Sequence, residues 1–149
     1  MTKKIAFSLM ILLSIFFVSC QDEAAETEQV DMATEVARLW SCKETDDQGA
    51  RNYEVKIEKK ASDILLIKNF HNIGVDNSIE AKLTTDRILT VTEQTLPGTN
   101  LIVKECTGQI SSDYQRITWN YKIDDARLGI YSVSATFTPG QISKSGAEL

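Results

Sequence analysis

The chain has 149 residues and a formal net charge of −5, with 16 Lys and Arg against 21 Asp and Glu. The acids crowd one stretch: residues 20–35 carry Asp22, Glu23, Glu26, Glu28, Asp31 and Glu35 with no base, whereas the sequence from Val36 onward is nearly neutral. That balance argues against a nucleic-acid binder, which needs surplus Lys and Arg to meet phosphate, and the length suits one domain rather than a multidomain enzyme.

Lys3 and Lys4 precede an apolar run over residues 5–18, broken only by Ser8 and Ser14. The run is shorter than a spanning helix needs and sits directly behind a charged pair, which predicts a signal peptide over residues 1–19. Phe17-Val18-Ser19-Cys20 resembles the bacterial lipobox, with Phe17 standing where Leu is usual. The resemblance implies that Cys20 is lipidated on sulfur and becomes the first residue of the mature chain. Several acyl chains on one residue anchor stably, because each buried CH₂ contributes about 0.8 kcal/mol and a single chain is marginal. Gln21-Asp22-Glu23 is similar to the acidic export signal behind the lipidated Cys of Bacteroidota surface lipoproteins. On that resemblance the protein is an outer-membrane lipoprotein exposed at the cell surface, with a periplasm-facing placement as the alternative. Residues 20–35 are expected to be an acidic tether, since acid-rich, aromatic-free sequence does not collapse.

Asp31 is placed to cap one or two helical turns leading to Leu39, with Met32, Val36 and Leu39 near one face. From there period two dominates. Tyr53, Val55 and Ile57 alternate with Glu54, Lys56 and Glu58, and Ile79, Ala81 and Leu83 alternate with Glu80 and Lys82. Ile117, Trp119, Tyr121 and Ile123 oppose Arg116, Thr118, Asn120 and Lys122; Tyr131, Val133, Ala135 and Phe137 oppose Ser132, Ser134, Thr136 and Thr138. The contiguous Ile64, Leu65, Leu66 and Ile67 leave strand and helix both open. Asp46-Asp47-Gln48-Gly49, Pro97-Gly98-Thr99-Asn100 and Ser111-Ser112-Asp113 are turn chemistry. The pattern predicts an all-β domain over residues 36–140, an antiparallel meander of about eight strands closed as a barrel or folded as a β-sandwich. Residues 141–149 form a polar C-terminal tail.

Ile67-Lys68-Asn69-Phe70, Ile79-Glu80-Ala81-Lys82-Leu83, Leu89-Thr90-Val91-Thr92-Glu93-Gln94 and Trp119-Asn120-Tyr121-Lys122-Ile123-Asp124 resemble segments of small Bacteroidota lipoproteins. That family has no assigned function, and some members are labelled lipocalin-like, so the resemblance implies a lipocalin-like β-barrel. A helical turn leading to Trp40 is also similar to the start of lipocalins, although Arg38 stands where they carry Gly.

Candidate chemistry is sparse. With Cys20 assigned to lipid, Cys42 and Cys106 are either a disulfide or two separate buried thiols. No metal site is expected, for there is no CxxC and His71 is the single histidine. His71 lies where a strand leaves the sheet and reads as a solvated or locally hydrogen-bonded side chain, with no nucleophile motif beside it. Asp46-Asp47 and Asp124-Asp125 read as turn residues. Trp119, Tyr121, Tyr131 and Phe137 are expected in the core and are also the candidate interior contacts to a ligand, should the barrel be hollow. The functional expectation is a non-enzymatic, membrane-anchored barrel without a cofactor. It would bind a small apolar or sugar ligand or an outer-membrane protein partner. The alternatives are an accessory subunit of an outer-membrane assembly and, third, a small hydrolase.

Overall fold

The computed structural model describes residues 31–140. The signal peptide, Cys20, residues 20–30 of the tether and the 141–149 tail lie outside the described residues. Nine strands follow one short helix, α1 (Met32–Val36). They are β1 (Leu39–Asp46), β2 (Gly49–Lys59), β3 (Ile64–Lys68), β4 (Ser78–Leu83), β5 (Ile88–Val91), β6 (Gln94–Thr95), β7 (Ile102–Ile110), β8 (Ile117–Asp125) and β9 (Gly129–Pro139).

All pairings are antiparallel between neighbours in the sheet, and two of them close it. β1 pairs with β9, setting Cys42 opposite Phe137, and β5 pairs with β7, setting Val91 opposite Cys106. Eight strands therefore form a closed barrel of lipocalin-like architecture, and β6 is a two-residue ribbon on β7. Closure sets aside the sandwich alternative. The ambiguous apolar run is strand β3, in which Leu65 and Ile67 turn inward and Ile64 and Leu66 are half-covered.

The turns follow from side-chain chemistry. Asp46 Oδ1 accepts from Gln48 N at 2.8 Å and Asp125 Oδ1 accepts from Arg127 N at 2.7 Å, so one Asp of each pair serves its hairpin, while Asp124 lies in β8 and pairs with Lys104 at 2.7 Å. Gly129, at φ 80°, enters β9 in a conformation that L side chains disfavour. In β7 the register shifts between Lys104 and Thr107, with Glu105 at φ 48°. This bulge lets Val103 and Cys106 both face the core although three positions separate them.

One end of the barrel is closed. Asp31 caps α1 by accepting from Ala33 N at 3.1 Å, and Ala33 and Val36 are fully buried. The packed domain thus begins earlier than Val36 and takes in residues 31–35, which the sequence reading gave to the tether. Trp40 donates its indole N–H to the Val36 carbonyl at 2.9 Å. Arg38, at the position where lipocalins carry Gly, lays its guanidinium 4.5 Å from the Trp40 ring centroid and donates to the Tyr114 carbonyl. The interior above is filled, not hollow: Trp119 lies against Phe70 and Phe137, with ring centroids 5.5 and 5.8 Å away. Trp119 fits because Gly108 stands opposite it; a Cβ there would sit 2.8 Å from the indole.

Candidate functional site at the open end

The opposite end gathers the β1–β2 and β8–β9 hairpins, the β3–β4 loop and the segment between β6 and β7. Together they surround a cavity of about 700 Å³ that opens to solvent. Its wall includes Arg51, His71, Asn72, Asn100, Arg127 and Tyr131.

The floor is built by strands changing character as they rise. Trp40, Cys42 and Glu44 share the inward face of β1, and the last of them is a carboxylate with no exposure. Arg51 stands opposite Glu44 in the β1–β2 ladder, and Tyr53 stands opposite Cys42. Tyr121 points inward from β8. The fourth contributor comes from a loop. After β3 the chain runs through Asn69, His71 and Asn72, at φ of 60°, 53° and 58°. These left-handed residues turn Phe70 and His71 into the barrel. Asn69 fixes the turn, donating Nδ2 to the Glu54 carbonyl and accepting from Gly74 N, each at 2.8 Å. Left-handed conformations cost about 1–3 kcal/mol each in non-glycine residues, though Asn and His tolerate them better than most.

Four donors converge on Glu44. Oε1 accepts from Arg51 Nη2 at 2.7 Å and faces His71 Nδ1 at 3.1 Å. Oε2 accepts from the hydroxyls of Tyr53 and Tyr121, each at 2.5 Å. Burial by itself raises a carboxyl pKa, but the hydrogen bond and charge of His71, followed by the hydrogen bonds of Tyr121 and Tyr53, pull Glu44 down from 4.5 to about 2. Both phenols are raised, first by burial and then by the Glu44 charge, so they remain donors. Arg51 also pairs with Asp46, whose side chain is almost completely covered.

This arrangement fixes the His71 tautomer. Tyr121 commits its only hydroxyl proton to Glu44, and His71 Nδ1 lies 3.0 Å from that same oxygen. Nδ1 must therefore carry a proton, and in the neutral ring Nε2 holds the lone pair. Nδ1 is engaged on both counts, which leaves Nε2 as the nitrogen available to the cavity that His71 lines.

The sequence expectations divide accordingly. His71 is not solvated: its side chain is 3% exposed and it belongs to the buried polar cluster. Of the four aromatics named as interior contacts, Tyr131 alone lines the cavity. Trp119 and Phe137 are core, and Tyr121 is spent beneath the cavity floor on Glu44 and His71. A disulfide is not formed; Cys42 and Cys106 are free, buried thiols. β8 and β9 lie between their strands along one arc of the barrel, and burial pushes each thiol up to about 12. Among the described residues no group of three or more His, Cys, Asp or Glu is arranged to hold a metal ion.

Glu44 and Arg51 were missed by the sequence reading, yet their signal was present. Extending the period-two face from Trp40 and Cys42 reaches Glu44, and extending it back from Ile57, Val55 and Tyr53 reaches Arg51. Opposite charges at inward positions of adjacent strands mark an ion pair, here a buried Glu44 held by the half-exposed Arg51. No protein-family model matches the chain, and no curated protein matches it significantly.

Proposed function

We propose that the protein is an exported, lipid-anchored binding module, tethered through Cys20 to the outer membrane, whose barrel takes a small polar ligand at its open end without transforming it. The observation that carries this reading is the open cavity above a polar floor in which Arg51, His71, Tyr53 and Tyr121 converge on Glu44. Specific ligand sites combine concave shape with a few fixed polar groups, and cavities of roughly 300–1,000 Å³ suit small molecules. An apolar ligand is disfavoured, because the apolar interior is occupied by Trp119, Phe70 and Phe137. The resemblance to Bacteroidota lipoproteins and the lipobox-like Phe17-Val18-Ser19-Cys20 support the anchored, surface-exposed placement. Enzymatic function is not favoured: the Glu44–His71 pair has no Ser or Cys nucleophile bonded to it.

One observation favours a protein partner as the second reading. Leu128 and Ile130, on the β8–β9 hairpin at the open end, are each 60% exposed. Docking would have to use such loops, since closure pairs the long strands and leaves few edges to extend.

Two measurements test the proposal. Cys20→Ala should release the protein from membranes into the soluble fraction, and a variant that still pellets with the outer membrane would contradict the anchor. Native mass spectrometry of the gently purified exported protein should show a small retained species that departs on denaturation. A bare mass, together with co-purification of a protein through the β8–β9 hairpin, would favour the partner reading instead.

A further inference from the structure

We propose that the open-end cavity is a carbohydrate site in which His71 Nε2 accepts a hydrogen bond from a sugar hydroxyl, and that it discriminates against anionic sugars. The inference rests on the ligand-binding reading and specifies its chemistry.

The first support is the direction of the hydrogen bond. Because Tyr121 and Glu44 hold the Nδ1 proton, the neutral ring offers the cavity a lone pair and no N–H. An acceptor at the floor calls for a ligand that donates, and a hydroxyl does so without carrying charge. The same bonds hold the ring in one orientation, so little rotational freedom is lost on binding.

Charge supplies the second support. In and just beneath the cavity stand three carboxylates, Glu44, Asp46 and Asp125, against two guanidiniums, Arg51 and Arg127. Arg51 is already shared by Glu44 and Asp46, and Arg127 lies 3.9 Å from Asp125. Arg51 is held by its two carboxylates while Arg127 stands 89% exposed at the rim, and the surplus of carboxylates over guanidiniums opposes a ligand phosphate or carboxylate. Neutral and amino sugars meet no such penalty.

The wall provides the third. Asn72, Asn100 and Thr99 bring groups that both donate and accept, while Tyr131, Ile73 and Leu101 bring apolar surface. A sugar ring has this same mixture, with hydroxyls at its edge and C–H groups on its faces.

The test needs no substitution, because His71 is the single histidine in the chain and its ring nitrogens give unambiguous signals. The protein from Gln21 onward, which contains the whole described barrel, is labelled with ¹⁵N and held at a pH where the ring is neutral. Long-range ¹H–¹⁵N spectra should show a protonated Nδ1 and an unprotonated Nε2; the opposite tautomer would overturn the proposal. N-acetylglucosamine, glucosamine and glucuronate are then titrated separately. The first two should shift Nε2 and the Tyr131 resonances, and glucuronate should bind at least roughly tenfold more weakly, which corresponds to 1.4 kcal/mol. Equal or tighter binding of glucuronate, binding that leaves Nε2 unmoved, or no binding by any of the three would overturn the carbohydrate assignment. The broader binding reading is judged separately, by the retained mass of the exported protein.

Discussion

The two ends of this barrel are made from the same strands and do opposite things. At the closed end, the inward positions are Trp40 on β1, Ile57 on β2 and Ile117 on β8, sealed by α1 and by Arg38 lying over Trp40. At the open end the same faces reach Glu44, Arg51 and Asp125. Apolar surface removed from water supplies stability without needing precise partners. Buried charge supplies little net stability and demands them all, which is why Glu44 collects four donors. The comparison teaches where to look for function: at the end where the fold accepts the cost of burying charge.

The largest expected effect belongs to the closed, apolar part. Trp119→Ala should destabilise the domain by about 3–5 kcal/mol in urea denaturation, since it empties the space that Gly108 makes for the indole. A loss under about 1 kcal/mol would mean that the interior is looser than its packing indicates.

Next comes the polar cluster, read through pH. Glu44 has its pKa lowered on folding, so its stabilising contribution is present in full above about 4.5 and is lost as pH falls toward about 2. Thermal melts over that window should show the wild type losing stability more steeply than Glu44→Gln, which has no proton to take up. Parallel curves would place the acid sensitivity elsewhere. Arg38→Ala should cost about 1 kcal/mol by removing the cation–π contact with Trp40 and the bond to the Tyr114 carbonyl, measured again by denaturation. The smallest effect is a null one. Reductant should leave the melting temperature unchanged, and native Cys42 and Cys106 should resist alkylation, because both are buried free thiols. A drop in melting temperature on reduction would reveal a disulfide.

The same contrast separates what was legible in the sequence from what was not. Strands with clean period two, such as Ile117 to Ile123 and Tyr131 to Phe137, announced their inward faces, and the strands themselves run further, to Asp125 in β8 and over Gly129–Pro139 in β9. The capped turn at Asp31 was equally plain. The open end was harder, because its chemistry interrupts the pattern that makes strands readable. Glu44 and Arg51 could have been found by carrying the alternation one step further into charged residues. His71 could not: its inward direction depends on the left-handed backbone of residues 69–72, a tertiary outcome that local pattern does not encode. The bulge at Glu105 hid a face in the same way, putting Val103 and Cys106 on one side against simple alternation.

The most direct test of the central claim, that the open end is the binding end, is hydrogen–deuterium exchange of the exported protein with its retained ligand and after stripping. The account predicts slower exchange with ligand confined to the loops around residues 69–74, 98–101 and 125–129, with α1 and residues 111–116 unchanged. Protection centred on the closed end, or spread evenly through the barrel, would contradict it.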